Sequence, residues 1–361
     1  MSRPVSSPLS RFLRMGCAAL ALAASSPVVP ALAQDGKVNI TFFIWAGSNQ
    51  GVIPTKVIED YRAAHPNVTI DILESNNTIT YPKMVAARRT TPDDPLVHCG
   101  FFNVDAITKG KVDDMWAPVS TADVPNMANV LERFVRPEGK GIGYQTSTIG
   151  IMYNTDKVKE PPKSWSVLWA DGNDKQVTFF DYDTRMLAIA ARLNGGDERN
   201  IDPGFEVWAN HAGNIRALVD SNDAVKNLIV SGDAYYSPWF ASLASVWMKE
   251  GAPLGFAAPE EGMIAFPVYL AIANGVTPEE KKVCGDLINT LLEPENAARY
   301  GELTYSVPVT TNAALSDEQK ANPLLSLEAA EKAILLDYDY IAEMSSDWRE
   351  RWDREVKFKM R

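Results

Sequence analysis

Two acidic residues and one aromatic cluster in this sequence are of types that do chemistry in proteins. Asp181 and Asp183 stand two residues apart in the string "FFDYDTR", and paired carboxylates can perform acid and base catalysis. The cluster is "SGDAYYSPWFAS", residues 231–242, in which Tyr235 and Tyr236 are adjacent. Tyrosine oxygens suit a hard metal such as ferric iron, whereas aromatic faces can form the wall of a pocket for an organic solute. These residues are therefore compatible with three kinds of site: a hydrolytic site, an iron-binding site and a solute-binding site.

The hydrolytic alternative lacks the motifs that usually accompany it. The sequence contains no G-x-S-x-G, H-E-x-x-H, P-loop or G-x-G-x-x-G string. Two acids in a loop that follows a strand are more often a helix cap and a surface charge. We therefore expect no enzyme activity and no cofactor. A secreted hydrolase that uses Asp181 and Asp183 stays an alternative.

The N-terminus is typical of a secreted protein. Three arginines precede the apolar run Met15–Ala24, and "ALA" precedes Gln34. The run is too short to span a bilayer, so we predict a signal peptide, residues 1–33, that is cleaved after Ala33. Cleavage lowers the Lys and Arg count from 35 to 32 against 46 acidic residues, for a net charge of −14. A protein this acidic is not expected to bind nucleic acid.

Thiols and histidines are scarce in the mature chain. His98 and Cys99 are adjacent in the strand-like "LVHCGFF", where neighbouring side chains face opposite ways. No second His or Cys motif accompanies them, so we expect no metal site. Cys284 lies in the helix-like "EEKKVCGDLINTLL". Export permits a disulfide, but we expect Cys99 and Cys284 to be two separate buried thiols.

The elements that must position these residues follow an alternating pattern. The string "KVNITFFIW" reads as a strand, "IPTKVIEDYRAAHP" as a helix that Pro66 ends, and "NVTIDILE" as a second strand. Such an order favours a parallel crossover. It repeats in "YPKMVAARR", "PLVHCGFF" and "VDAITKGKVDD". The first part of the chain is therefore predicted to be an α/β lobe.

A second α/β pattern follows the long strand-like segment "GIGYQTSTIGIMYNTDKV". It comprises the strand "QVTFFDY", the helix "TRMLAIAARLN" and a further helix around "FEVWANHAGNIRALV". The aromatic cluster begins as a strand. Because proline has no N–H, we expect this strand to end near Pro238 and to lift Trp239 out of the sheet. A mature chain of about 328 residues favours two lobes over a single core.

Eight strings along the chain support a more specific interpretation. They are "FFIWAGSNQG", "ESNNTITYPKM", "TIGIMYNTDKV", "SWSVLWAD", "FDYDTRML", "SGDAYYSPWFAS", "PEEGMIAFPVYLAIANG" and "YSVPVTTNAA". Their order resembles that of the periplasmic solute-binding proteins of ABC importers, in the branch that includes the spermidine- and putrescine-binding proteins. The resemblance covers essentially the whole mature chain. It implies an α/β, two-lobed periplasmic binding protein fold of the type II-like kind, with the ligand cleft between the lobes.

The resemblance also implies a domain organisation and partners. Lobe 1 would comprise residues 34–146 and 268–312, and lobe 2 residues 147–267 and 313–361. The lobes would close on a small-molecule solute by hinge motion, and the protein would deliver that solute to a membrane permease. We expect a periplasmic monomer.

Candidate ligand contacts lie at positions that match the family's motifs or flank them. They are Trp45, Ser48, Asn77, Thr78, Phe102, Asp183, Arg185, Tyr236, Trp239, Phe266 and Tyr305. Other roles stay open: Trp45 and Phe102 as core residues, Asn77 and Thr78 as a plain turn, and Asp183 as a helix cap. Tyr235 is expected to be a core residue.

Two departures from the polyamine-binding branch bear on the ligand. Met186 stands where that branch has a glutamate, and Val268 where it has an aspartate. An ammonium group in a dry cleft needs a carboxylate partner, so a polyamine with an ammonium at each end would be poorly satisfied. Arg185 could hold a carboxylate through two parallel hydrogen bonds. We expect a small amine, polyamine-like or amino-carboxylate solute. Capture of ferric iron by Tyr235 and Tyr236 is the alternative.

Overall fold

The computed structural model describes residues 37–47, 49–322, 324 and 326–360. The predicted signal peptide, residues 1–33, and the predicted ligand contact Ser48 lie outside the described residues. The strands are β1 (Val38–Trp45), β2 (Val68–Ser75), β3 (Cys99–Asn103), β4 (Ile142–Asn154), β5 (Val177–Phe180), β6 (Ile215–Val219), β7 (Tyr236–Phe240), β8 (Leu254–Ala257), β9 (Ile264–Ile272) and β10 (Val307–Pro308).

The α-helices lie between these strands or follow them. They are α1 (Val52–Ala64), α2 (Asn77–Thr90), α3 (Val104–Val112), α4 (Thr184–Leu193), α5 (Asp202–Asn210), α6 (Asn222–Val230), α7 (Ala241–Lys249), α8 (Pro278–Leu291), α9 (Pro294–Thr304), α10 (Asp317–Ala321), α11 (Leu327–Lys332) and α12 (Tyr338–Glu355). Short 3-10 helices cover Pro125–Asn129, Glu132–Phe134, Pro137–Gly139, Trp165–Trp169, Ala212–Asn214 and Lys357–Lys359.

The strands form one mixed sheet in the order β2-β1-β3-β9-β4-β7-β5-β6, and β8 and β10 also pair with β4. At one end, β1 is parallel to both β2 and β3. This confirms the crossover units predicted for the first lobe. Gly100 of β3 permits the close approach to β1, because its φ is +153° and a Cβ there would lie 2.2 Å from the Phe43 carbonyl oxygen.

The centre of the sheet connects the two lobes. β9 pairs antiparallel with β3 and with β4. The first part of β4 pairs with β10, and its last part pairs with β7 and β8. Beyond β7, the strands β5 and β6 are again parallel. Two parallel groups of strands are thus joined by long antiparallel strands, which gives the two-lobed α/β architecture.

Side-chain caps fix where three of the helices begin, immediately after a strand or its turn. Asn76 caps α2, Asn103 caps α3 and Asp183 caps α4, each by accepting a hydrogen bond from a backbone N–H of the first turn. Such caps satisfy donors that have no partner inside the helix. They also bring the first residues of these helices to the carboxyl ends of the preceding strands, where open α/β sheets bind ligands.

The structure corrects the expectation for the two cysteines. Cys99 and Cys284 form a disulfide, with their Cα atoms 5.9 Å apart. Both residues are fully buried, in the cluster where α8 packs against the sheet. The prediction of two separate thiols was wrong because strand β3 and helix α8, 185 residues apart along the chain, are neighbours in the fold.

Two predicted elements also differ from the structure. The segment "FEVWANHAGNIRALV" is not one helix, because α5 ends at Asn210 and β6 begins at Ile215. The strand of the aromatic cluster does not end at Pro238, which lies within β7 opposite Ile151 of β4. Trp239 therefore stays in the sheet, opposite Gly150. A proline is tolerated here without ending the strand.

Candidate functional site

A cavity of about 290 Å³ opens where β3, β5 and β7 end. It is lined by Asp105, Phe180, Tyr182, Asp183, Thr184, Arg185, Phe240, Phe266 and Tyr338. Asp105 lies in the first turn of α3, whereas Asp183 and Arg185 belong to the start of α4. The cavity is therefore bounded by helices from the two parallel strand groups, with Phe266 of the connecting strand β9 on its wall.

An ion pair between Asp183 and Arg185 forms one wall of the cavity. Arg185 donates from Nε to Asp183 Oδ1 at 2.6 Å and from Nη2 to Oδ2 at 2.7 Å. The exposed fractions of the two side chains are 13% for Arg185 and 5% for Asp183. Burial opposes the charge of Arg185, but the adjoining carboxylate outweighs it and raises the pKa of Arg185 above its ordinary value. Arg185 is thus a fixed cation whose charge Asp183 balances.

Two phenylalanine rings hold the Arg185 guanidinium in place. Its central carbon lies 5.3 Å from the centroid of the Phe240 ring and 5.2 Å from that of Phe266. The two rings meet edge to face at 5.4 Å. Cation–π attraction of this kind is stronger in a partly dry site. The orientation of Arg185 is therefore fixed by three neighbours before any ligand binds.

Asp105 contributes a second carboxylate to the cavity. Its side chain is open to water from the cavity, although protein atoms surround it. Among the described residues, no hydrogen bond or ion pair holds this carboxylate. Burial raises the pKa of the Asp105 carboxyl above its ordinary value, and the nearby Arg185 and Lys109 cations offset that effect only in part. Asp105 is thus a carboxylate in this cavity that the described residues neither hydrogen-bond nor pair directly with a cation.

A backbone turn of unusual conformation brings Tyr182 and Asp183 to the cavity. Tyr182 has a φ of +60°, a left-handed conformation that costs a non-glycine residue about 1 kcal/mol. Its hydroxyl donates to the Ser345 carbonyl of α12 at 2.6 Å. Burial raises the pKa of Tyr182 to about 12, so its phenol stays protonated and donates. The hydrogen bond to α12 helps to hold the strained turn.

Tyr338 lies at the start of α12 and links the cavity to the connecting strand β9. Its hydroxyl donates to the Ala265 carbonyl at 2.6 Å, and its ring lies 6.5 Å from that of Phe266. Ile334, just before α12, exchanges backbone hydrogen bonds with Met263 and Ala265. Tyr338 thus joins the wall of the cavity to the strand that connects the lobes.

A second cavity, of about 250 Å³, adjoins the first because Asp105 lines both. Asn77 and Thr78 line it, together with Lys109 and neighbouring residues of α2 and α3. Asn77 Oδ1 accepts from the Trp45 indole at 3.1 Å and from the Asn103 backbone N–H at 2.9 Å. These bonds tie the ends of β1 and β3 to the start of α2. The predicted contacts Asn77 and Thr78 therefore lie beside the cavity that contains Asp183.

A larger surface cavity of about 760 Å³ lies between α3 and α12, but it fits a binding site less well. Its charged side chains largely compensate one another, with Arg199 paired to Asp337 and Lys111 paired to Asp339. The smaller cavity lies where three strands end, and it contains a carboxylate without a partner. We therefore place the candidate site there.

The structure brings together some of the predicted contacts and not others. Asp183, Arg185 and Phe266 line the first cavity, and Asn77 and Thr78 line the second. Trp45, Phe102, Tyr236, Trp239 and Tyr305 line neither. Phe102 is fully buried between Phe43 and Trp116. Tyr305 lies at the end of α9, where its hydroxyl accepts from Lys249 at 3.0 Å.

Trp239 lies one layer behind the cavity. Its exposed fraction is 1%, and it packs against Phe180, Phe240 and Trp247. β7 continues through Pro238, so Trp239 and Phe240 are consecutive residues of the strand, and their ring centroids lie 5.9 Å apart. Phe240, not Trp239, faces the cavity.

Sequence reasoning missed Asp105, Tyr182, Phe240 and Tyr338. Asp105 could have been found, because it follows strand "CGFFN" directly and strand ends are where such sheets bind ligands. Phe240 follows from the same rule once the strand is extended through Pro238. Tyr338 had no local signal, since only the return of α12 to the sheet brings it to the site.

The environments of Tyr236 and Asp181 do not favour the iron-binding and hydrolytic alternatives. Burial raises the pKa of Tyr236, which disfavours the phenolate form that ferric iron requires. No group of three His, Cys, Asp or Glu side chains suited to a metal occurs in the described part of the chain. Asp181 does not line the cavity; its Oδ2 accepts from Arg349 and Lys357 near the C-terminus.

Comparison with known proteins gives the family of this chain. The family described as "Bacterial extracellular solute-binding protein" matches residues 56–326. The putrescine-binding periplasmic protein PotF of Escherichia coli is 25% identical over 312 residues, covering 78% of this chain and 79% of PotF. The spermidine/putrescine-binding periplasmic protein 1 of Haemophilus influenzae is 24% identical over 261 residues, covering 68% and 69%.

A solved structure shows the same fold. The spermidine/putrescine ABC transporter substrate-binding protein PotD of Streptococcus pneumoniae superposes with a TM-score of 0.72 at 18% identity, over 90% of this chain and 100% of that one. The chain therefore belongs to the bacterial extracellular solute-binding protein family. The predicted class of protein and its two-lobed fold are confirmed. Among the described residues, no helix is long and apolar enough to cross a membrane.

Proposed function

We propose that this protein is the solute-binding component of an ABC importer, and that it captures a small organic solute with an ammonium group in the cavity between its lobes. The observation that carries this proposal is the Asp105 carboxylate, which faces the cavity without a protein partner. An ammonium group of the solute supplies the missing positive charge. Rings such as Phe266 and Tyr338 add cation–π attraction and exclude water.

The fold gives a physical reason for capture by closure. Ligand contacts from Asp105 on one side and from Asp183, Arg185 and Phe240 on the other stabilise the closed arrangement. The hinge consists of the connecting strands: β4 near Thr148, β9 near Ala265, and the segment at Ile334 that bridges to Ile264. Closure then presents the loaded protein to a membrane permease. We expect the protein to perform no chemistry on its solute.

We propose that the lobe boundaries lie at the same crossings, in β4 near Thr146 and in β9 near Val268. The third crossing is better placed at Ile334 than at residue 313, because the segment before Ile334 contacts the first lobe. Gln319 donates to the Ala298 carbonyl of α9, and Arg133 donates to the Ala333 carbonyl.

Export and oligomeric state complete the proposal. The protein is secreted by the signal peptide of residues 1–33 and acts in the periplasm as a monomer. Mass spectrometry of the secreted protein should give an N-terminus at Gln34. Light scattering should give the mass of one mature chain, with and without solute.

Titration calorimetry of the mature protein, residues 34–361, tests the ligand class. The probes are spermidine, putrescine, butylamine, 4-aminobutyrate and ferric citrate. At least one of the amines should bind at one site per chain, and Asp105→Asn should weaken that binding at least tenfold, since a hydrogen bond to a charged group contributes about 1.5–3 kcal/mol. Thr108→Val, on the same helix but outside this cavity, is the matched control. Binding of ferric citrate but of no amine would overturn the proposal.

A further inference from the structure

Two charged groups in the cavity have hydrogen-bonding sites without a partner among the described residues, one group being negative and the other positive. The negative one is the Asp105 carboxylate, which has no partner among the described residues and lies in the first turn of α3. The positive one belongs to Arg185. A guanidinium has five N–H donors, and Asp183 accepts side-chain hydrogen bonds from two Arg185 nitrogens, Nε and Nη2. Both Nη1 donors and one Nη2 donor have no partner in the described part of the chain.

These unused groups belong to one site. Asp105 and Arg185 line the same cavity, and the charge of Arg185 acts on Asp105 strongly enough to oppose the effect of burial on its pKa. Arg185 cannot turn away from the cavity freely, because Asp183 and the rings of Phe240 and Phe266 fix its guanidinium. A ligand in this cavity therefore meets the Asp105 carboxylate and a guanidinium whose position is fixed.

We infer that the solute is a small zwitterion whose ammonium group binds Asp105 and whose carboxylate binds the free N–H groups of Arg185. This inference rests on the proposed function and narrows its ligand class. A zwitterion satisfies both unused groups. A simple amine leaves the free Arg185 donors without acceptors when closure removes water from the cavity, which is costly. A diamine is worse, because its second ammonium is brought towards the guanidinium, a like charge.

The size of the cavity limits the ligand. A water molecule takes up about 30 Å³ in the liquid, so 290 Å³ corresponds to roughly ten waters. A solute of about ten non-hydrogen atoms or fewer fits, which includes the linear ω-amino acids of short and medium length. Spermidine has a similar number of atoms but carries three cationic groups and no carboxylate. Charge, more than size, therefore distinguishes ω-amino acids from polyamines as ligands of this cavity.

A matched set of four-carbon compounds tests the inference on the unaltered mature protein. The set is 4-aminobutyrate, butylamine, butyrate and putrescine. On similar chains, these compounds carry, in that order, both an ammonium and a carboxylate, an ammonium alone, a carboxylate alone, and two ammonium groups. Shorter and longer ω-amino acids, each with its own amine, acid and diamine, cover other spacings. We expect at least one ω-amino acid to bind at least tenfold more tightly than the three matched compounds.

Variants identify the groups responsible. Arg185→Gln should weaken binding of the preferred ω-amino acid at least tenfold relative to binding of its matched amine, so that the preference disappears. Arg185→Lys keeps the charge but loses the paired donors, and it should retain part of the preference. Far-ultraviolet circular dichroism and thermal melting show whether each variant is folded. If Arg185→Gln does not fold, the ligand series on the unaltered protein still decides.

The outcomes separate this inference from the proposed function. If an amine or diamine binds as tightly as every ω-amino acid of the series, the zwitterion is refuted while the amine-binding function stands. The same conclusion follows if Arg185→Gln folds and keeps the preference. If none of the amino compounds binds, the proposed function fails as well.

Discussion

Loss of the disulfide between Cys99 and Cys284 should destabilise the mature protein substantially. The bond joins residues 185 positions apart and so closes a very long loop. In the chain-entropy relation, a crosslink lowers the entropy of the unfolded chain by about 2.1 cal/mol/K plus 1.5R times the logarithm of the loop length. For this loop the entropy change at 25 °C corresponds to about 5 kcal/mol of stability.

The variant Cys99→Ala/Cys284→Ala tests this magnitude. Both residues are fully buried, so alanine avoids placing a hydroxyl in the core. Urea denaturation, followed by tryptophan fluorescence, should show a free energy of unfolding lower by about 3–5 kcal/mol, since measured effects are often below the calculated one. Treatment of the unaltered protein with a reductant during unfolding should reproduce most of the loss.

Two results would refute the reasoning. One is a destabilisation below about 1 kcal/mol with an unchanged denaturant slope, because a long loop closed by a crosslink cannot contribute so little in this relation. The other is titration of two free thiols in the unfolded, unreduced mature protein. Cys17 does not complicate that measurement, because it lies within the predicted signal peptide.

Three further predictions concern the site and its supports. Because burial raises the pKa of Asp105, this charged group opposes folding as the pH rises through its folded-state pKa. Asp105→Asn should therefore raise the melting temperature of the ligand-free protein at pH 7 while it weakens amine binding. A lower melting temperature would contradict this. Phe240→Ala removes a wall of the cavity and should weaken binding of the solute about fivefold or more, whereas Trp239→Phe should lower stability and leave affinity within about twofold. A larger loss of affinity for Trp239→Phe than for Phe240→Ala in calorimetry would place Trp239 at the site instead. Although burial opposes ionisation of Asp339, Arg136 and Lys111 lower its pKa. The stabilising effect of the Asp339 charge is therefore present above the unfolded pKa of about 3.9 and disappears as the pH falls through the lower folded value. In urea denaturation, the destabilisation by Arg136→Met should be largest at pH 6 and shrink below about pH 3, and a pH-independent difference would exclude this pairing.

Local patterns in the sequence predicted much of the fold. Alternation in "NVTIDILE" and helical spacing in "IPTKVIEDYRAAHP" gave β2 and α1, and the glycines after "TRMLAIAARLN" gave the end of α4. The α5–β6 boundary was missed because "HAGN" is a short connection between two apolar segments. The disulfide could not be predicted, since no local pattern shows that β3 and α8 pack together.

The site was only partly predictable for the same physical reason. Asp183 and Arg185 were found because they belong to a contiguous motif, although their pairing with each other was not anticipated. The role of Phe240 depended on the path of β7 through Pro238, and that of Tyr338 on the return of a distant helix. Residues that one strand end supplies can be predicted from sequence, whereas a cavity shared by three strand ends depends on tertiary packing.

We propose that the solute binds between Asp105 and Arg185, in the cavity where strands β3, β5 and β7 end. A crystal structure of the mature protein with the tightest-binding compound of the amine and ω-amino acid series tests this proposal. We expect the ligand's ammonium nitrogen within about 3 Å of an Asp105 carboxylate oxygen, with its carboxylate on Arg185 if it has one. A ligand bound elsewhere, or one whose ammonium group does not contact Asp105, would refute the proposal.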